Sequence, residues 1–332
     1  MAKRVSIKDI AAKVGVSTAL VSYVMNGKEK EKRVGREIVE RIRKVADELN
    51  YHPNQIARSL RKGTTNTIGL IVADIANPFF GHLSRIIEDE ASRNNYIVIL
   101  GSSDEDSRKS ASLTEIFLNR QVDGFILIPS EGDNELVQSL IDRNIPFVLI
   151  DRCFPGIDTN FVILDNHAAT YQATQRLINK GCRKIKMVAY NSSLFHMVER
   201  IRGYREAMTD QNLQEFICVE VINNRHEEIK IRMDEIVQKK ETEAIVFATN
   251  TLSIAGLYAI QRNDIHIPND FFVIGFDGNE SFDFFSPPIT YIEQPLLDIG
   301  KKAVRVLLEH INGTEEKTQV KLPSLLIERY SG

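Results

Sequence analysis

The sequence has few cysteines and no long hydrophobic run. No stretch of its 332 residues approaches the roughly 18 uninterrupted apolar residues of a transmembrane helix, so we expect no membrane association. The first residues contain no hydrophobic segment of the secretory type, which favours a cytoplasmic protein. The three cysteines lie far apart, outside any CxxC or Cys/His cluster, and this spacing argues against a disulfide framework and a structural zinc site. They are Cys153, Cys182 and Cys218.

The motifs of common enzyme classes are also missing. The chain has no GxSxG string, no GxxxxGK[ST] loop, no HExxH string and no GxGxxG after its first predicted strand. The seven histidines are scattered. His167 follows Asp165 and Asn166 and could face a binding cleft, although a single histidine there is more often a polar residue at the rim. We therefore predict that the protein is not an enzyme and that it needs no cofactor or metal.

Positive charge is concentrated at the start of the chain. Residues 1–63 contain 15 Lys and Arg against 7 Asp and Glu, a net charge of +8, whereas the remainder carries −11. A small basic segment joined to a large acidic one suggests that only the basic part contacts a polyanion. The alternative is a charged, solvated segment of three helices that binds no polyanion. The spacing of residues within the segment distinguishes these two interpretations.

Residues 6–50 have the pattern of three short helices. Ser6 to Asp9 form an [ST]xx[DE] capping string, and apolar residues follow it at helical spacing. Gly15 supplies a turn, and Ser17 can cap a second helix that ends near Asn26. A third helix is marked by Ile38, Ile42, Val45 and Leu49. Two short helices joined by a glycine-containing turn, with a third helix behind them, predict a helix-turn-helix.

The second helix has an outward face suited to a DNA groove. Small and hydrogen-bonding side chains can reach base edges without holding a helix out of the major groove. A purely structural three-helix domain would more often carry Glu and Lys there. The face consists of Thr18, Ala19, Ser22 and Tyr23.

These strings resemble the N-terminal signature of the lactose-repressor (LacI/GalR) family. The matching segments are residues 6–11, 15–17, 21–22 and 24–26, and residues 49–54 and 57–60 resemble the family's hinge. The resemblance covers nearly the whole chain, with about three extra residues in the loop Gly27–Arg33. It implies base contacts from Thr18, Ala19, Ser22 and Tyr23, backbone contacts from Ser6, Ser17, Asn26, Tyr51 and Asn54, and a hinge helix carrying Ala57 and Leu60.

The hinge and the departures from the family pattern bear on how DNA is bound. Pro53 suits a helix start and Gly63 a stop, and Leu60 resembles the leucine that enters the minor groove; the alternative is a flexible linker.

Tyr23 replaces the usual arginine, which removes a side chain that could bind guanine through two hydrogen bonds. At the third helix, Gly35, Ile38 and Val39 replace Ser, Thr and Arg. The lysine-rich loop could compensate, or it could be a solvated loop.

The remainder of the chain alternates strand-like and helical segments. Ten strand candidates over about 260 residues suit two doubly wound halves better than one sheet. The family's body resembles type I periplasmic sugar-binding proteins, with crossovers near residues 164–165, 292–294 and 322–323. The candidate strands are 67–73, 97–101, 124–129, 147–150, 161–164, 185–189, 217–222, 244–249, 272–276 and 289–292.

Polar side chains follow many of these strands, where open parallel sheets bind ligands. Each of these side chains could be a helix N-cap. If they lie close together between two lobes, they form a binding cleft. A carboxylate accepts two vicinal hydroxyls and an arginine donates several hydrogen bonds, which suits a polyol. The family resemblance assigns effector contacts to Phe79, Phe80, Asp151, Arg152, Arg200, Thr249, Asn250 and Asp277, with Asn250 standing where the family usually has Asp. Placed at cleft edges, Arg200 and Asp277 should be replaceable without loss of stability.

We therefore predict a helix-turn-helix head at 1–52, a hinge at 53–63 and an effector-binding and dimerisation core at 64–332. Lobe one comprises 64–164 and 293–322, and lobe two comprises 165–292 and 323–332. The expected function is a repressor that binds palindromic operator DNA as a homodimer under the control of a sugar-like ligand. Because the chain stops at Gly332 without a heptad tail, we expect no tetramer. The alternative is a sugar transport receptor, which has no use for residues 1–60.

Overall fold

The structure is a computed structural model that describes residues 5–51, 63–220, 226–239 and 241–332. The chain divides into two compact units, Met1–Thr65 and Asn66–Gly332, referred to below as the head and the core. The predicted hinge helix falls on residues that lie outside the described ranges, apart from Gly63.

The head contains three helices around one apolar cluster. The predicted periodicity places Ile10, Val21 and Ile42 at its centre, and all three are fully buried. Gly15 ends the first helix with φ of +79°, a left-handed conformation that glycine adopts without strain, and its amide donates to the carbonyl of Ala11. The helices are α1 Ile7–Val14, α2 Thr18–Met25 and α3 Arg36–Glu48.

The core contains two six-stranded sheets, each covered by helices, which we call lobe one and lobe two. Lobe one comprises β1 Thr67–Val72, α4 Pro78–Arg93, β2 Ile97–Ser102, α5 Ser107–Asn119, β3 Gly124–Leu127, α6 Asn134–Asp142, β4 Phe147–Ile150, β5 Phe161–Leu164, α12 Leu296–Ile311 and β11 Gln319–Leu322. Lobe two comprises α7 Asn166–Asn179, β6 Ile185–Tyr190, α8 Phe195–Thr209, β7 Phe216–Glu220, α9 His226–Gln238, β8 Ala244–Phe247, α10 Asn250–Arg262, β9 Phe272–Phe276, α11 Glu280–Phe284, β10 Thr290–Glu293 and β12 Leu325–Ile327.

The strand order of the two sheets indicates where a ligand would bind. Lobe one has the order β11-β5-β4-β3-β1-β2, all parallel, and lobe two has β12-β10-β9-β8-β6-β7, with only β12 antiparallel. The chain passes between the sheets three times, after β5, after β10 and after β11. Buried strands with both faces covered are rich in Val, Ile and Leu, as the sequence is here. Ligands of such sheets bind beyond the carboxyl ends of the strands.

The ten strand candidates all correspond to strands, and two further strands were missed. The missed strands are β11 and β12, which are three or four residues long and lie at sheet edges. β11 alternates exposed and half-buried residues, and the apolar run of β12 is only three residues long, so neither has the longer apolar run by which the central strands were recognised.

Within the described part of the chain, no helix is long and apolar enough to cross a membrane.

The packing of α7 against α8 depends on a glycine. A Cβ built on Gly203 would lie 2.1 Å from the carbonyl oxygen of His167 and 2.6 Å from Oγ1 of Thr170. We therefore expect Gly203→Ala to lower the free energy of unfolding by about 1–3 kcal/mol through overpacking. Chemical denaturation followed by circular dichroism measures this change. Gly156→Ala is the control, since a Cβ there meets nothing within 4 Å; equal stability of the two variants would contradict the prediction.

Candidate functional site

The outward face of α2 forms an open depression on the head. Thr18 and Ala19 are exposed, whereas Ser22 and Tyr23 are half-buried. Together with Ile7 and Lys8 of α1, these four side chains line the depression. The depression therefore combines hydroxyl groups and a lysine with the apolar side chains of Ile7 and Ala19, and Ile7 is the one bulky aliphatic group among its lining residues.

The predicted backbone-contacting residues hold the ends of the head helices. The carboxylate of Asp9 accepts hydrogen bonds from the amide of Ser6 at 2.8 Å and from its hydroxyl at 2.6 Å. The hydroxyl of Ser17 accepts from the amide of Leu20, and the amide group of Asn26 donates to the carbonyl of Ser22 at 2.6 Å.

Tyr51 is half-buried and packs against the apolar cluster of the head. Three further predicted DNA contacts lie outside the described residues: Asn54, Ala57 and Leu60.

In lobe one, two residues that follow β4 are buried and paired. Asp151 has φ of +63°, and Asp151 and Arg152 are only 5% and 6% exposed. Both terminal nitrogens of Arg152 donate to the carboxylate of Glu105, at 2.7 and 2.6 Å, and one of them also donates to the carbonyl of Pro129. Nε of Arg152 lies 3.3 Å from Oδ2 of Asp151. The guanidinium is thus engaged by acceptors of its own lobe.

In lobe two, Arg200 projects from α8 and is 2% exposed. Its Nε donates to Oδ1 of Asn166 and its Nη1 to the carbonyl of Ala248, both at 2.7 Å. The guanidinium carbon also lies 3.7 Å from the centre of the Phe276 ring, a cation–π contact. This arginine therefore joins α7, α8 and the ends of two strands.

Asp277 follows β9 with φ of +54°, as Asp151 follows β4. The amide group of Gln294 donates to its Oδ1 at 2.9 Å, and that of Asn250 donates to its backbone carbonyl. Asp is one of the few non-glycine residues that adopt left-handed φ readily. Both aspartates are therefore held at strand ends, and their side chains are close enough to interact electrostatically.

Burial and mutual charge shift the pKa values of these groups. Burial, with a smaller contribution from Asp151, raises the pKa of Asp277 to about 7 against the opposing effects of Arg200 and Gln294. Burial also raises the pKa of Asp151 in spite of Arg152 and Arg200. Because Asp151 interacts with Arg200 of the other lobe, the four charged groups form one electrostatic cluster between the lobes. We call this cluster, with Glu105 and His196, the cleft site.

His196 is a member of the cleft site that the sequence did not reveal. It lies at the start of α8 and is 6% exposed. Burial lowers its pKa well below 6.5, and Arg152 and Arg200 lower it further, so the imidazole is neutral. In the described part of the chain, its Nδ1 and Oε1 of Gln294 are buried without a hydrogen-bond partner. A neutral histidine and an amide oxygen supply acceptors for a ligand.

Other predicted cleft residues have structural roles in this conformation. Phe79 and Phe80 belong to the apolar core of lobe one, where their rings meet edge to face at 5.0 Å. Thr249 caps α10 by accepting from the amide of Leu252, which is the N-cap alternative considered from the sequence. His167 pairs with Glu206 at 2.8 Å and stacks on Tyr171. The sheets bring together Asp151, Arg152, Arg200, Asn250 and Asp277.

Glu105, His196 and Gln294 were missed for a common reason. Each lies one or more residues beyond a strand end, and no motif surrounds it. Glu105 directly follows the polar string at residues 102–104, and Gln294 directly follows β10, so position after a strand was the available signal. For His196, the start of a helix gave no such indication.

A helix-turn-helix head and a two-lobed core with a polar cleft define a ligand-responsive DNA-binding regulator. Residues 6–54 match the family described as "Bacterial regulatory proteins, lacI family", and residues 174–331 match "Periplasmic binding protein-like domain". The HTH-type transcriptional repressor PurR of Vibrio atlanticus (strain LGP32) is 33% identical over 95% of this chain and 94% of its own. The chain belongs to the lacI family of bacterial regulatory proteins.

Solved structures agree with this assignment. A transcriptional regulator CelR–cellobiose complex has a TM-score of 0.73 at 26% identity, covering 99% of this chain and 100% of that one. The lac repressor dimer bound to operator and the anti-inducer ONPF has a TM-score of 0.88 at 21% identity, covering 99% of each chain, a likeness of fold. The predicted family and fold class are confirmed. The protein is a transcriptional regulator and not an enzyme.

Proposed function

We propose that this regulator is a repressor whose cleft site binds a neutral, polyhydroxylated ligand of the sugar class. The observation that carries the proposal is the charged cluster between the lobes, in which the guanidinium groups are already engaged by protein acceptors. The carboxylates of Asp151 and Asp277, together with the acceptor atoms of His196 and Gln294, are then available to a ligand, and each carboxylate can accept two hydroxyl donors. The cellobiose in the CelR complex belongs to the same class of ligand.

The same arrangement disfavours anionic ligands. Arg152 donates both terminal nitrogens to Glu105, whereas Arg200 uses two of its five N–H groups on oxygen atoms of lobe two and keeps the others for a ligand. Three carboxylates and two guanidinium groups also leave no net positive charge in the cluster. A phosphorylated sugar would therefore be repelled where its unphosphorylated counterpart binds.

Ligand control requires contacts that depend on the positions of the two lobes. Asp151 belongs to lobe one and Asp277 to lobe two, so a ligand held by both would favour one separation of the lobes. The hydroxyl and amide of Ser193 in lobe two also donate to the carboxylate of Glu131 in lobe one. We propose that ligand binding changes this separation and thereby the affinity of the head for DNA.

For the head, we propose that Thr18, Ala19, Ser22 and Tyr23 contact base edges in the major groove. Ser6, Ser17, Asn26, Tyr51 and Asn54 would contact the backbone, with Ala57 and Leu60 in a hinge helix. The domain boundaries at residues 52 and 63 remain those predicted from the sequence. We propose a homodimer, because two heads on one two-fold axis match the two halves of a palindromic operator. From its action on chromosomal DNA we infer a cytoplasmic location.

A thermal-shift screen of the full chain tests the ligand class. Neutral mono- and disaccharides, their phosphate esters, and nucleobases are compared at equal concentration. The proposal predicts a rise in melting temperature with one or more neutral sugars and none with the corresponding phosphate esters. Stabilisation by a sugar phosphate or by a nucleobase, with no response to neutral sugars, would contradict it.

The pKa of Asp277 predicts how ligand affinity depends on pH. Hydroxyl donors favour the ionised carboxylate, so binding releases a proton when Asp277 is protonated, and affinity should rise with pH through about 7. At pH 6 we expect affinity about tenfold below that at pH 8, since one bound proton changes affinity tenfold per pH unit below the pKa. Asp277→Asn should bind more weakly and lose this dependence in calorimetric titrations.

The matched control is Asp283→Asn, which removes an exposed carboxylate paired with Arg329. It should keep both the affinity and the pH profile. The same pKa shift affects folding, because the folded state binds the proton of Asp277 more tightly than the unfolded state does. The contribution of the protonated Asp277 to the free energy of unfolding is complete below pH 3.8 and is lost as the pH rises towards 7. An unchanged pH profile in Asp277→Asn would show that another group binds the ligand's hydroxyls.

A further inference from the structure

The loop between α2 and α3 carries four basic residues within seven positions. Residues 27–33, which we call the basic loop, contain Lys28, Lys30, Lys32 and Arg33 together with Glu29 and Glu31. The loop is about three residues longer than the family pattern, and its sequence alone left two interpretations open. The two glutamates could neutralise it as a solvated loop, or they could be turned away from a basic surface.

Backbone hydrogen bonds hold the basic loop in a compact turn. The amide of Lys28 donates to the carbonyl of Tyr23 at 2.9 Å, and that of Lys32 donates to the carbonyl of Lys28 at 2.9 Å. The amide of Val34 donates to the carbonyl of Glu29 at 2.8 Å and closes the loop onto α3. The side chains of the loop therefore project from a defined backbone.

The two glutamates of the basic loop differ in their partners and in their exposure. Oε1 of Glu29 accepts from Arg43 of α3 at 2.7 Å, and its side chain is only 20% exposed. Glu31 pairs with Lys32 at 3.0 Å. Lys28, Lys30 and Arg33 are exposed and form no ion pair at hydrogen-bonding distance among the described residues, although Lys28 is near enough to lower the pKa of Glu31. The loop thus presents three cations to solvent, while one of its carboxylates is turned towards α3.

The loop also adjoins the face of α2 that we assign to base contacts. Nζ of Lys32 lies 5.8 Å from the centre of the Tyr23 ring. At the start of α3, Gly35 caps the helix without a side chain and Val39 is buried in the apolar cluster of the head, so Arg36 is the exposed cation that this end of the helix supplies. The basic loop therefore places further cations next to Tyr23, in addition to Arg36 at the start of α3.

We propose that the basic loop binds the phosphate backbone of duplex DNA beside the bases contacted by α2. The proposal rests on the DNA-binding role of the head and adds a contact surface of its own. Phosphate contacts strengthen binding to all sequences and make it depend on salt, whereas base contacts discriminate between sequences. Removing the loop cations should therefore weaken binding to any duplex by the same factor and reduce its salt dependence.

The test compares the full chain with the triple variant Lys28→Ala/Lys30→Ala/Arg33→Ala. Fluorescence anisotropy gives the affinity for a 30-bp mixed-sequence duplex, and for a duplex recovered by in vitro selection, between about 50 and 200 mM salt. The slope of log affinity against log salt should fall by about 0.9 for each phosphate that the variant no longer neutralises, hence by about 2–3 in the triple variant. The ratio of the two affinities should not change.

The control Lys301→Ala/Arg305→Ala/Lys317→Ala removes the same charge from exposed positions of the core and should keep the wild-type slope. Circular dichroism checks that both variants retain their helices. A wild-type slope in the loop variant would overturn the proposal and leave the DNA-binding function standing. A wild-type chain that binds neither duplex at any salt concentration would overturn the proposed function, and the loop inference with it.

Discussion

The Arg200→Ala variant should lose both its response to ligand and a large part of its stability. The guanidinium is buried, donates to Asn166 and Ala248, and packs on Phe276. Its removal leaves two acceptors unpaired and takes away a cation that interacts with Asp277. Breaking a buried ionic arrangement of this kind costs about 3–5 kcal/mol. Since the chain has no tryptophan, urea denaturation followed by far-UV circular dichroism measures the loss.

Arg205→Ala is the control for this prediction. Arg205 lies on the same helix and forms an exposed ion pair with Glu215, which is worth little to stability. It should unfold like the wild type and keep its ligand response. If Arg200→Ala proves as stable as Arg205→Ala, the buried contacts do not have the role assigned here, and the sequence-based expectation of a dispensable cleft-edge arginine would be correct after all.

The Ala19→Glu variant should lose most of its specific DNA binding without loss of fold. Ala19 is exposed on α2 and lines the depression that we assign to base contacts. A glutamate there adds bulk and places a carboxylate in the electronegative major groove, so we expect affinity for a selected duplex to fall at least about 100-fold. Anisotropy titration at fixed salt measures this change.

Ala12→Glu provides a matched substitution on the same unit, because Ala12 is exposed on α1 and lies outside the depression. It adds the same charge to the head, so the difference between the two variants isolates the position of the carboxylate. Equal losses in both would indicate a general charge effect and would remove α2 from its proposed role.

Much of the fold could be predicted because its signals are local. The capping string Ser6–Asp9, the turn at Gly15 and the apolar spacing from Ile38 to Leu49 each act within one helix. The central strands are continuous apolar runs, since helices cover both faces of their sheets. The edge strand β11 has no such run and that of β12 is only three residues long, and both were missed.

The cleft site was harder to predict because it depends on contacts between distant residues. Asp151, Arg152 and Asp277 were found by family resemblance and by their positions near strand ends, and Arg200 by family resemblance alone. Nothing local indicated that Glu105 would occupy the guanidinium of Arg152, 47 positions away. Phe79 and Phe80 were also difficult to assign, because aromatic residues that follow a strand occur in a core as well as in a ligand site. In the structure they are buried in the apolar core of lobe one.

The central claim is that a ligand in the cleft site controls the affinity of the head for DNA. The most direct test titrates the full chain against a labelled duplex recovered by in vitro selection, at one salt concentration, with and without a saturating neutral sugar from the thermal-shift screen. We predict that the sugar changes the dissociation constant about 5–150-fold, the usual range of coupling between sites, and that Asp277→Asn abolishes this change. An unchanged dissociation constant at saturating sugar would contradict the account.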